Sequence, residues 1–216
     1  MNIEQARFNM IEQQIRPWNV LDQEVLENLS LVKRENYFPD AQKNMAFFDT
    51  ELPLVAGAYS LTPKIEARIA QEVAVKKTET VLLIGAGTGY LAALLAAMCK
   101  HVTVMEVLPE VKALAEQNLR KNAVMNVDVM QGDGLQVKNS MGFDAIVVSG
   151  SLEMLPVDLQ NQLNQGGRLF VIVGKAPIMS AQLITRESEL FFDVKTVFET
   201  SIHRLPQAQL KTTFKF

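Results

Sequence analysis

Gly85-Ala86-Gly87-Thr88-Gly89 lies between an apolar run at residues 80–84 and a second one at 90–99. Glycine has no Cβ and tolerates positive φ, so a strand ending in such a turn lets a ligand approach the backbone at the start of the next helix. Taken alone the turn is weak evidence. A dinucleotide fingerprint asks for glycine at its first, third and sixth positions, and the sixth here is Tyr90, an imperfect fit to a pyrophosphate site. Glu106 stands twenty-one residues after Gly85, at the end of the next expected strand, where a carboxylate can accept hydrogen bonds from both hydroxyls of a ribose. Asp133, between Gly132 and Gly134, follows the third expected strand at the edge where open α/β sheets place ligands, and suits an adenine amino group. Gly-Asp-Gly is also an ordinary turn sequence. As a set, Gly85, Gly87, Gly89, Glu106, Asp133 and Gly134 point to an adenosine-bearing ligand.

These residues need strands and helices to hold them. Ile3, Phe8, Met10, Ile11 and Ile15 recur at helical spacing, as do Val20, Val25, Leu26, Leu29 and Val32 beyond Pro17, so two short helices are expected to lead the chain. Residues 36–63 carry Pro39, Pro53, Gly57 and Pro63 without a sustained period and read as loop. A helix over 63–75 follows, with Thr62 as N-cap and Pro63 at its first position. Strands are expected at 80–84, 102–106, 127–131, 145–149 and 168–173, with helices at 90–99, 110–121 and about 156–163 between them. Parallel strands with helical crossovers are the natural arrangement. Past Gly174, residues 181–186 and 191–198 read as two more strands with little helix between them, an antiparallel edge.

With 216 residues, 48% hydrophobic and 21% charged, the chain can bury a core without disulfides or metal, and one domain over 1–216 is expected, residues 1–78 forming an addition within it. The net charge of −3 argues against nucleic acid as a partner. Cys99 is the sole cysteine, which excludes an internal disulfide and fits a reducing compartment. Residues 1–10 lack the unbroken apolar core of a signal peptide, and the run at 90–99 is too short to cross a bilayer. A cytoplasmic protein with no membrane partner is expected. His101 and His203 read as structural, and no metal site is expected from so few histidines and one cysteine.

Gly85-Ala86-Gly87-Thr88-Gly89-Tyr90, Glu106, Gly132-Asp133-Gly134 and Phe143-Asp144-Ala145-Ile146-Val147-Val148 together resemble the protein-L-isoaspartate O-methyltransferase family. The likeness continues upstream in Met10-Ile11-Glu12-Gln13-Gln14-Ile15, Val32-Lys33-Arg34-Glu35-Asn36-Tyr37-Phe38-Pro39 and Leu52-Pro53-Leu54, which are more specific than the glycine turn. It covers about the first 175 residues. The resemblance implies a Rossmann-like class I methyltransferase: an α/β fold with a mostly parallel seven-stranded sheet, an antiparallel C-terminal hairpin and N-terminal helices. It implies S-adenosyl-L-methionine as cofactor and S-adenosyl-L-homocysteine as product. Gly85, Gly87 and Gly89 would line the methionine end, Glu106 would hold the ribose, and Asp133 with Gly134 would meet the adenine. The acceptor would be the displaced carboxylate of an isoaspartyl residue in a protein or peptide.

The chain departs from the family at two places. Leu83 stands where the family usually has an acidic residue before the glycines. The family's Thr-Ile-Ser-Gln-Pro loop aligns without a gap on Tyr59-Ser60-Leu61-Thr62-Pro63, so Leu61 occupies the active-site serine position and Ser60 or Thr62 would have to supply the hydroxyl. A small-molecule acceptor and a non-catalytic cofactor-binding protein are the alternatives. Methyl transfer to an ionised carboxylate needs no general base, so orientation and a dry pocket are what such a protein must contribute.

Overall fold

The computed structural model describes residues 2–155 and 157–208. Its centre is a seven-stranded sheet in the order β3-β2-β1-β4-β5-β6-β7. The strands are β1 (Thr80–Ile84), β2 (His101–Glu106), β3 (Val127–Gln131), β4 (Phe143–Leu152), β5 (Leu163–Lys175), β6 (Ile178–Arg186) and β7 (Phe192–Thr200). All pairings among β1 to β5 are parallel, while β6 runs antiparallel to both β5 and β7. The expected mostly parallel sheet with an antiparallel C-terminal hairpin is the observed one.

Strand alternation divides the core into two layers. Val81, Leu83, Ala145, Val147, Phe170 and Ile172 face one side, where they pack with the helices α3 (Pro63–Val73), α4 (Tyr90–Ala96) and α5 (Pro109–Lys121). Leu82, Ile84, Ile146, Val148, Leu169 and Val171 face the other. Strands apolar on both faces must be covered on both, which is why β1, β4 and β5 read as unbroken hydrophobic runs. The leading helix α1 (Ile3–Met10) continues through a π turn (Ile11–Ile15) and a 3₁₀ turn (Arg16–Trp18) to Asn19, whose left-handed φ of 58° ends it. The second leading helix is α2 (Gln23–Leu31), capped by Asp22 accepting from the Val25 amide.

Two expectations need correction, and a third, Thr62 as N-cap, holds for the backbone but not for the side chain. The helix expected at 156–163 is a single turn, α6 (Val157–Gln160); Pro156 lies outside the described residues. Leu163 instead opens β5, paired with Phe143 and buried in the second layer. The helix from Tyr90 stops at Ala96, where the amides of Met98 and Cys99 both turn onto the Leu95 carbonyl. Thr62 does hold the N-cap backbone position of α3, yet its side chain makes no capping bond and Oγ1 is buried without a partner among the described residues. Cys99 is buried, and burial pushes its thiol up to about 11, so it stays protonated and unreactive at neutral pH.

Asp144, at the start of β4, pins the start of β1. Oδ2 accepts from the Thr80 amide at 2.8 Å and the Thr80 hydroxyl at 3.1 Å, and Oδ1 accepts from Asn164 at 2.9 Å. Burial acts to raise this carboxyl, but the bonds from Thr80 and Asn164, with Arg168 nearby, outweigh it and hold it below the usual range. A depressed carboxylate stabilises the fold above its unfolded value of about 4, and the contribution is lost as pH falls through the folded value. Asp144→Asn is expected to lower stability at pH 7 by about 1–3 kcal/mol. Urea unfolding should show the gap from the parent narrowing between pH 7 and pH 3, and a constant gap would contradict the assignment.

Candidate functional site

The strand order reverses between β1 and β4, since the chain winds from β1 toward β3 on one side and from β4 toward β7 on the other. The crevice at the carboxyl ends of those two strands is where such sheets bind ligands. Gly85 leaves β1 at φ 94°, with its N–H on the Met105 carbonyl at 2.9 Å. β4 carries a bulge here, taking four steps from Val147 to Ser151 against two in β5. The bulge brings Ser149 across, and its hydroxyl lies 3.0 Å from the Ile84 carbonyl and 2.9 Å from that of Gly85. A methyl group on Gly85 would overlap that hydroxyl, whereas one on Gly87, at φ 52°, would enter open space with nothing within 4 Å.

Glu106 closes the turn from β2. It is 4% exposed; Oε2 accepts from the Ala86 amide at 2.8 Å and Oε1 from the Leu108 amide at 2.9 Å. Each oxygen keeps a lone pair, so both can still accept from a ligand.

The opposite wall is the loop before α3. Its backbone folds back on itself through Leu54 N–H to the Ala58 carbonyl at 2.7 Å and Ser60 N–H to the Leu52 carbonyl at 2.9 Å. Ser60 Oγ accepts from the Leu52 amide at 3.0 Å, which leaves its own proton for a ligand. The buried Arg34 fixes the loop from behind: Nη2 donates to the Leu61 carbonyl at 2.7 Å, Nη1 to the Ala46 carbonyl at 2.5 Å and Nε to Glu66 at 2.7 Å. Burial pushes the Glu66 carboxyl up, against the pull of Arg34. Tyr59 stacks on His203, ring centroids 3.6 Å and planes 7° apart.

A single cavity of about 330 Å³ joins these parts. Gly85, Gly87, Glu106 and Ser60 line it, as does Leu61. Thr62, Gly89, Asp133 and Gly134 do not. Gly89 begins α4, where a methyl would sit 3.1 Å from the Ala115 carbonyl oxygen, and Gly134 packs against Ile84 and Met105. Asp133 accepts from the Leu135 amide at 3.0 Å, capping a short 3₁₀ turn. The sequence reading missed Glu51, Glu66, Ser149, His203 and Arg204, all of which line the cavity. Ser149 and Gly150 were findable from their place at the end of β4. The segment 203–206 has no local signal: it arrives because the chain after β7 returns along β4, with Ser151 bridging Arg204 in parallel.

The family model for protein-L-isoaspartate(D-aspartate) O-methyltransferase matches residues 5–203, further than the 175 residues over which the resemblance was legible. Protein-L-isoaspartate O-methyltransferase 2 of Anaeromyxobacter sp. (strain Fw109-5) is 36% identical over 182 residues, 84% of this chain and 74% of that protein. The protein-L-isoaspartate O-methyltransferase of Aliivibrio fischeri (strain MJ11) is 30% identical over 190 residues, 88% of this chain and 91% of that one. A Plasmodium falciparum structure named for the same activity and solved with S-adenosyl-L-homocysteine superposes with a TM-score of 0.78 at 19% identity, covering 95% of this chain and 98% of that chain. That structural likeness shows a shared fold.

The two glycines should respond differently to a methyl group. Gly85→Ala strains a positive φ and displaces Ser149, and is expected to lower unfolding free energy by about 1–3 kcal/mol. Gly87→Ala meets no protein atom and should lose only about 1 kcal/mol, while its methyl obstructs ligand binding. Urea unfolding and S-adenosylhomocysteine titration of both variants check this; equal effects of the two on stability would contradict it.

Proposed function

The chain belongs to the protein-L-isoaspartate(D-aspartate) O-methyltransferase family, and from that premise we propose that it methylates the displaced carboxylate of isoaspartyl residues in damaged proteins, using S-adenosylmethionine. The observation that carries this reading is the one cavity in which the glycine turn and Glu106 face the loop 57–61. Cofactor and acceptor must meet in a shared space for direct transfer.

The residues present fit the cofactor. Gly87 leaves open space where any side chain would intrude, and Glu106 is buried, ionisable and keeps a lone pair on each oxygen. When bound, S-adenosylmethionine supplies an electrophilic methyl group on a sulfonium. In our reading Gly85, Gly87 and Gly89 form the turn at its methionine end, Glu106 takes the ribose hydroxyls, and Asp133 with Gly134 forms the adenine end. Ser60 Oγ, which lines the cavity, orients the acceptor, and Thr62, which does not line it, has no part in this. Leu61, Leu91, Val111 and Leu205 give the cavity apolar walls that exclude water, so the opposite charges of acceptor and sulfonium attract without competition. No residue has to remove a proton, because the acceptor arrives ionised.

We read the whole of 1–216 as one methyltransferase domain in which 1–78 supplies the acceptor wall. Isoaspartyl protein or peptide is the partner in this reading, with neither nucleic acid nor membrane. Among the described residues no helix is long and apolar enough to cross a membrane. A cytoplasmic location is our reading of the lone buried thiol.

Glu106→Ala removes the ribose acceptor and should weaken S-adenosylhomocysteine binding by about 1.5–3 kcal/mol in calorimetry, the range for hydrogen bonds to a charged group. Unchanged affinity with intact folding would refute the assignment. Radiolabelled methyl transfer to an isoaspartyl peptide, run beside a metabolite extract, tests the acceptor; label appearing only in small molecules would overturn the protein-carboxyl reading. Leu61→Ser should lower KM for the peptide several-fold by restoring a hydroxyl, at a stability loss of about 2–4 kcal/mol for the buried leucine. An unchanged KM would show that the missing hydroxyl at this position does not limit acceptor binding.

A further inference from the structure

Glu51, Glu66 and Glu106 all line the cavity, so an acceptor entering as a carboxylate meets three acidic side chains. An anion taken out of water needs a cation or a set of hydrogen bonds in exchange. Arg34 donates to Glu66 and two carbonyls behind the loop and does not line the cavity. The basic side chains left among those lining the cavity are Arg204 and His203. Arg204 leans to Glu153, Nη1 to Oε2 at 3.5 Å, and shares that carboxylate with Lys175 at 2.5 Å.

His203 is held differently. Its Nδ1 lies 2.8 Å from Glu51 Oε2, its backbone N–H donates to Glu51 Oε1 at 3.1 Å, and Tyr59 covers one face of the ring. One carboxylate gripping both the ring and the backbone, with a stacked aromatic, leaves the imidazole a single plane. Facing a carboxylate, Nδ1 carries a proton. Nε2 makes no hydrogen bond among the described residues, and the side chain is about half exposed. Nothing in transfer to an ionised carboxylate calls for this pair as a base.

We propose that His203 is the specificity-determining residue of the acceptor site: held by Glu51 and Tyr59, it binds the acceptor carboxylate through Nε2–H as an imidazolium. The inference rests on the carboxyl-acceptor reading above. The cation then lies between two anions, Glu51 and the acceptor, and offsets the acidic lining that would otherwise repel the substrate. Ser60 adds a hydrogen bond without charge, and Leu61 adds neither. The groups around the ring are Glu51 and Tyr59 from the loop wall and Arg204, with its partner Glu153, from the adjoining backbone.

The test compares two peptides binding to the S-adenosylhomocysteine-loaded protein by calorimetry: an isoaspartyl peptide, and the same peptide with that carboxylate converted to a carboxamide. The parent should bind the carboxylate form at least tenfold more tightly. His203→Phe keeps the stack on Tyr59 but has no N–H, and should abolish that preference while leaving carboxamide-peptide and S-adenosylhomocysteine affinities within twofold. His203→Arg, which can pair with Glu51, stack and donate, should restore most of the preference. A preference that survives in His203→Phe, equal weakening of both peptides, failure of arginine to restore it, or a parent that binds both forms alike would overturn the inference. A parent that binds neither peptide would overturn the carboxyl-acceptor reading itself, and this inference with it.

Discussion

The carboxylate of Glu106 ties together three pieces of chain that the sheet alone would leave loose. It ends β2, accepts the amide of Ala86 in the glycine turn after β1, and accepts the amide of Leu108 just before α5. A buried carboxylate is costly unless it is hydrogen-bonded, and here both oxygens are. The same bonds satisfy two amides at chain reversals, where no strand or helix partner exists. The turn is therefore shaped before any ligand arrives, and the oxygens that shape it are the ones left to meet a ribose. Preorganisation of this kind reduces the ordering that binding would otherwise require.

The acceptor wall depends on a second buried charge. Arg34 reaches through the core to bond Glu66 on α3 and the carbonyls of Ala46 and Leu61, so one guanidinium ties its own segment to that of Ala46 and to the stretch from Leu61 to Glu66. Its planar fork of donors suits that role, and a lysine would reach fewer of these acceptors. The loop carrying Tyr59 and Ser60 is thereby anchored from behind at Leu61. The two halves of the cavity are held by separate charged anchors, and the bulge in β4 that delivers Ser149 adds a further hold on the glycine turn.

What was legible in the sequence is what is local. Strand, glycine turn, helix, strand and acidic residue follow one another within Thr80 to Glu106, and period and glycine spacing suffice to place them. The parallel sheet and its C-terminal hairpin were legible for the same reason, because each strand is a short apolar run with its own boundaries. The single-turn α6 was not, since Leu163 suits a helix face and a strand equally until its partner Phe143 is known. Thr62 reads as a cap from its neighbours, but the backbone alone fills that role. Glu51 and His203 are 152 residues apart, and neither carries a signal that points to the other. Their meeting follows from the path of the chain after β7, which only the assembled sheet dictates.

The central claim is that one preformed cavity receives the cofactor on Glu106 and the glycine turn. A crystal structure of the protein with S-adenosylhomocysteine tests it most directly. The account predicts both ribose hydroxyls about 2.5–3.0 Å from the Glu106 oxygens, with the bonds to Ala86 and Leu108 intact and the homocysteine sulfur open toward Ser60 and His203. A ligand seated elsewhere, or a Glu106 side chain that must release its backbone amides to admit the ribose, would contradict it.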